Sequence, residues 1–62
     1  MEWPLLIKQL REAMLLTQNE LASILGVSFV SVNRWENSVN QPTMKMKRRL
    51  LKMMKKYGIV EK

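Results

Sequence analysis

TQNELASILGVSFVSVNRWE, residues 17–36, carries two short helical patterns with only Gly26-Val27-Ser28 between them. Thr17 followed three residues later by Glu20 is a capping box, in which the hydroxyl accepts the Glu20 backbone N–H and the carboxylate accepts that of Thr17. A helix therefore starts at Gln18. It sets Leu21, Ala22 and Leu25 on one face and stops at Gly26, the residue best suited to the left-handed conformation just past a helix end. Ser28 caps a second helix, Phe29 to Glu36. Within it Val32 and Trp35 fall three apart and face inward, while Phe29, Val30, Asn33 and Arg34 share the other side. Two helices joined by so short a Gly-containing turn form a helix-turn-helix, whose second helix can lie in a DNA major groove.

The chain is 62 residues long, which allows one small domain, residues 1–62, with a single core. It has no Cys and no His, so disulfides and the usual zinc sites are excluded, and neither a metal nor a cofactor is expected. An enzyme is the weakest reading, because no general acid–base set or nucleophile with its base is evident. No apolar run is long enough to span a membrane, and the N-terminus lacks the apolar core of a secretion signal, so a cytoplasmic location is expected. Eleven Lys and Arg against five Asp and Glu give a net charge of +6, which favours an anionic partner such as nucleic acid or an acidic membrane surface. Lys45, Lys47, Arg48, Arg49, Lys52, Lys55 and Lys56 fall between residues 43 and 56 with no acid among them. Such a run is either a solvated face or, beside a helix-turn-helix, a phosphate-binding one.

On the N-terminal side, Pro4 fits the first position of a helix, where its missing N–H is not needed. Trp3, Ile7, Leu10 and Met14 then make one apolar stripe with Leu6 beside it, Trp3 acting as a lid on the core. Leu15 and Leu16 close that helix. Ala22 is small where helices two and three cross, and a larger residue there would overpack. On the C-terminal side, residues 37–42 form a loop and Thr43 caps a last helix. Its stripe is Met46, Leu50, Met53 or Met54, and Tyr57, with Gly58 at the end. A Met-rich side continued by Ile59 and Val60 offers a dimer surface. The expected fold is all-α, a compact bundle of four helices at about 4–15, 18–25, 29–36 and 44–57.

Specificity is expected from the outward side of helix three. The planar fork of Arg34 matches O6 and N7 of guanine, the commonest specific base contact. Asn33 can pair with adenine in the same way or bond a phosphate. Phe29 and Val30, in the turn that enters the groove most deeply, can meet thymine methyl groups, unless Phe29 folds back onto the protein. Ser31 reaches a phosphate or simply sits in the helix.

These residues resemble the phage repressor and Cro type of helix-turn-helix protein, the Xre family. The likeness is carried by Leu16-Thr17-Gln18, Glu20-Leu21-Ala22, Leu25-Gly26-Val27-Ser28, Val32, Arg34-Trp35-Glu36-Asn37 and Pro42, with Arg11 upstream. It covers roughly two thirds of the chain in register. The resemblance implies a lambda-repressor-like fold, commonly with a fifth helix, before which this chain ends. It implies that Gln18 touches the DNA backbone, where helix two presents its first N–H groups. Further backbone contacts are expected from Asn19, Ser28, Ser31, Asn40, Gln41, Thr43, Lys45 and Lys47. It also implies an ion pair between Arg11 and Glu36 that pins helix one to helix three. Where the family has Gly after the Asn, this chain has Ser38, so Asn37 or Ser38 must take the left-handed conformation. Family members often place basic residues in this loop, and this one does not.

The expected function is sequence-specific binding of double-stranded DNA by a transcriptional regulator, a repressor, acting as a homodimer on an inverted repeat. An antitoxin or adaptor that binds another protein through Phe29, Val30 and the Met surface is the alternative. A basic membrane-surface helix at residues 43–57 is a third possibility.

Overall fold

The computed structural model describes residues 2–59. Four helices follow one another: α1 Trp3–Ala13, α2 Gln18–Leu25, α3 Phe29–Glu36 and α4 Met44–Lys56. Three of them begin on a hydroxyl that accepts the N–H three residues on. Thr17 Oγ1 takes Glu20 N at 3.1 Å while Glu20 Oε1 takes Thr17 N at 2.8 Å, a complete capping box. Ser28 Oγ takes Ser31 N at 3.2 Å and Thr43 Oγ1 takes Met46 N at 3.3 Å. α1 has no side-chain cap and begins one residue before Pro4, whose ring still falls within the first turn, where no intrahelical donor is lost.

Every helix contributes to one core. Trp3, Ile7 and Leu10 come from α1, Leu21, Ala22 and Leu25 from α2, Val32 and Trp35 from α3, and Leu50 and Met54 from α4. Leu6, Met14, Leu16, Val27, Met46, Leu51, Met53 and Ile59 pack around them. α3 is held by only two buried side chains, and its other faces are left for other uses.

All four helices stop in the same way. The residue past the end turns left-handed, its N–H bonds the carbonyl three back, and the next N–H bonds the carbonyl five back. At α2 and α4 the left-handed residue is Gly26 (φ 72°) or Gly58 (φ 68°). At α1 and α3 it is Leu15 (φ 58°) and Ser38 (φ 63°). Leu16 N reaches Arg11 O at 3.0 Å and Val39 N reaches Arg34 O at 2.9 Å to close those two ends. α1 therefore ends at Ala13, two residues short of the expected end at 15, and Leu15 is 89% exposed rather than closing the helix. Of Asn37 and Ser38, the loop uses Ser38.

An L side chain in the left-handed region costs about 1–2 kcal/mol, which glycine avoids while losing some of that gain to its freer unfolded chain. Ser38→Gly and Leu15→Gly should each stabilise the fold by about 1 kcal/mol. Thermal unfolding followed by circular dichroism should show the midpoint raised by roughly 4–8 °C for each.

The end of α4 corrects a second expectation. Tyr57 is 45% exposed and does not continue the buried stripe, because the helix has already stopped at Lys56. The chain reverses at Gly58, Ile59 N bonds Met54 O at 2.9 Å, and Ile59 packs on the core in place of the tyrosine. Val60 lies outside the described residues.

Arg49 ties α4 to α2. Its Nη1 donates to Leu25 O at 2.8 Å and its Nη2 to Ile24 O at 3.4 Å, carbonyls at the negative end of a helix that has no basic residue of its own in its last turn. Because the site is partly open to water, Arg49→Ala should cost only about 1 kcal/mol. Arg48→Ala removes an exposed cation and should stay within about 0.5 kcal/mol of the parent protein. Urea unfolding of the two variants measures the difference.

Candidate nucleic-acid interface

Helical periodicity, with Val32 and Trp35 anchored inside, turns a continuous row of α3 outward. Phe29 and Val30 are 46% and 48% exposed, so Phe29 does not fold back into the core. Arg34 is exposed one turn further on, and Ser31 and Asn33 are half-buried beside it. The one acid on α3, Glu36, is turned away from this row, and the side chain of Glu20 is engaged in the capping box. The outward row therefore presents apolar groups, an amide and a cation.

Glu36 lies under the row. Its Oε2 accepts Arg11 Nε at 2.8 Å, and its Oε1 accepts Arg11 Nη2 at 3.1 Å. The two side chains are 18% and 5% exposed. The hydrogen bond to Glu36 holds the Arg11 guanidinium above its ordinary pKa, against the opposing effect of burial. Arg11 Nη1 also donates to Leu16 O at 3.2 Å, so one guanidinium ties α1, the start of the next loop and the end of α3 together.

Gln18 joins the same carboxylate. Its Nε2 donates to Glu36 Oε1 at 3.0 Å, and its Oε1 accepts Asn33 Nδ2 at 3.1 Å. A chain of charge and dipole thus runs from Arg11 through Glu36 and Gln18 to Asn33 in the outward row. Spacing within a helix gives no signal for these contacts, because they join residues 15 to 25 positions apart. Arg49 escaped sequence reading for the same reason.

The flanking polar residues surround the row. Asn19, Asn40, Gln41, Thr43 and Lys45 are exposed. Ser28 Oγ, besides capping α3, lies 3.2 Å from Ser31 Oγ. Lys47 is less free: its Nζ lies 5.4 Å from the centroid of the Trp3 ring and donates to Gln41 Oε1 at 3.0 Å. The first is a cation–π contact on the lid of the core that joins α4 to α1, and the second ties α4 to the loop before it. Among the described residues there is no pocket, so any ligand meets an open surface. None of these helices is long and apolar enough to cross a membrane.

Residues 7–60 match the family described as Helix-turn-helix. No curated protein and no solved structure matches the chain.

Proposed function

Since this chain belongs to the Cro/Xre-type helix-turn-helix family of DNA-binding proteins, we propose that it reads a specific duplex sequence and acts as a transcriptional repressor. The observation that carries this reading is the outward row of α3, where exposed Phe29, Val30 and Arg34 flank Asn33 with no carboxylate among them. Arg34 and Asn33 supply hydrogen bonds to base edges, and Phe29 and Val30 supply apolar contact to thymine methyls. Asn19, Ser28, Ser31, Asn40, Gln41, Thr43, Lys45 and Lys47 supply backbone contacts that fix register without reading sequence, whereas Gln18, expected among them, has both ends of its amide engaged with Glu36 and Asn33. One recognition helix makes few base contacts, so the working unit is a homodimer on an inverted repeat, with half-site centres about 34 Å apart or a multiple of it. Such a protein works beside the chromosome, in the cytoplasm.

Selection of bound sequences from a random duplex pool at near-physiological salt tests the reading. A palindromic consensus supports a dimeric reader. Weak binding without enrichment, vanishing as salt rises, refutes it. With the winning site in hand, Lys45→Ala should weaken all sequences alike and reduce the slope of log K against log salt by about 1. A changed base preference in that variant would move Lys45 from the backbone to the readers.

The exposed apolar residues Ile24, Phe29, Val30, Val39, Met44 and Tyr57 favour a second reading, an antitoxin or adaptor that binds another protein. Its signature is stoichiometric binding that survives high salt.

A further inference from the structure

We propose that Gln18 is a positioning residue for Asn33, and that through it the Glu36 carboxylate fixes which base Asn33 reads. The inference rests on the reading of α3 as the element that meets base edges. A carboxylate can only accept hydrogen bonds, so the end of Gln18 that faces Glu36 Oε1 at 3.0 Å must be its NH2. That leaves Gln18 Oε1 facing Asn33, and an oxygen there requires the NH2 end of Asn33, found at 3.1 Å. The reversed asparagine would set two carbonyl oxygens against each other. Two amides that could each adopt either orientation are therefore locked into one by a single acceptor. Arg11, bonded to both carboxylate oxygens, holds that acceptor in place.

The lock leaves Asn33 with Oδ1 and its second Nδ2–H. This is one acceptor beside one donor, in a fixed order, on a residue whose backbone is also held, since its carbonyl accepts Asn37 Nδ2 at 2.9 Å. Adenine presents the complementary pair in the major groove, the N6 amino donor beside the N7 acceptor. Asn33 thus arrives at the groove as a pre-oriented adenine reader. A free asparagine must lose its alternative orientation on binding.

The test uses the full chain and the duplex selected by the parent protein. Asn33→Ala identifies the base pair that Asn33 reads, as the position whose preference collapses. Gln18→Met keeps the length of the side chain and removes both of its hydrogen-bonding ends. It should lower the adenine preference at that same pair by about fivefold, the lower end of the discrimination a bidentate pair supplies, and leave the other positions unchanged. In the Asn33→Ala background, Gln18→Met should have no further effect on preference. A purely structural or phosphate-binding Gln18 would weaken every sequence alike with all preferences intact, and that result overturns the proposal while leaving the DNA-reading function standing. An Asn33→Ala variant that changes no base preference overturns it equally. Failure of the parent protein to enrich any sequence removes the underlying reading and the proposal together. A structure of the parent protein on its site needs no variant: Asn33 on adenine with Gln18 still bonded to it supports the lock, and Gln18 swung away to a phosphate contradicts it.

Discussion

Glu36→Ala should be the most damaging change at a polar residue of the helix-turn-helix, lowering stability by about 3 kcal/mol. Removing one partner of a buried pair costs roughly 3–5 kcal/mol, because the remaining charge stays out of water without compensation. Here the cost falls at the lower end, since the Arg11 side chain keeps 18% of its surface exposed and can recover some solvent. A domain of this size starts with little to spare, so the thermal midpoint should fall by roughly 12–24 °C. The same change strips Gln18 of the acceptor for its Nε2, so affinity for the selected site should fall even at temperatures where the variant is folded. Replacing both members, Arg11→Met with Glu36→Leu, should recover most of the stability, as apolar pairs often do in place of a buried ion pair. It should not restore base preference at the Asn33 position. A Glu36→Ala variant that melts with the parent protein would show that the pair contributes nothing to holding α3.

Arg34→Ala should leave the fold untouched and damage recognition. Arg34 is exposed, so melting should stay within about 0.5 kcal/mol of the parent protein. Binding to the selected site should weaken by roughly 1–3 kcal/mol, about five- to 150-fold, with preference relaxed at one base pair. Arg34→Lys separates charge from shape. It keeps the positive charge and its share of the salt dependence but lacks the planar fork, so it should lose most of the preference for guanine. Titration of the two variants against the selected duplex and its single-base substitutions measures both effects. If Arg34→Ala bound with unchanged preference, α3 would not be the reading helix.

What the sequence made legible was local. The caps at Thr17, Ser28 and Thr43 and the stop at Gly26 are each written within four residues, and the order of four helices follows from them. The apolar stripes placed Ile7, Leu10, Leu21, Leu25, Val32 and Leu50 in the core because helical period alone decides which face they share. Leu15 and Ser38 show where this fails. A left-handed residue is legible when it is glycine, whereas a leucine in that conformation is dictated by where the chain must go next and leaves no mark in its own identity. Tyr57 failed for a related reason, since the period was right but the helix ended one residue too early for it to apply. In the candidate site, the outward row could be read as positions on a helix, whereas beneath it the family resemblance implies only the Arg11–Glu36 pair and not the Gln18 links to Glu36 and Asn33. Nothing in the spacing of Gln18, Asn33 and Glu36 indicates that Gln18 bridges the Glu36 carboxylate and the Asn33 amide.

The two non-glycine helix stops also bear on how much of the protein a cell holds. Each keeps the folded state about 1 kcal/mol less favourable than glycine would, at positions separate from the outward row of α3. In a marginally stable domain, 1–2 kcal/mol changes the unfolded fraction available to proteases and can alter steady-state abundance several-fold. Under the proposed reading as a regulator, whose occupancy of its site depends on concentration, a change at Leu15 or Ser38 would be felt through abundance and not through contact with DNA. Glycine at either position should lower the unfolded fraction and slow turnover while leaving the outward row of α3 unchanged.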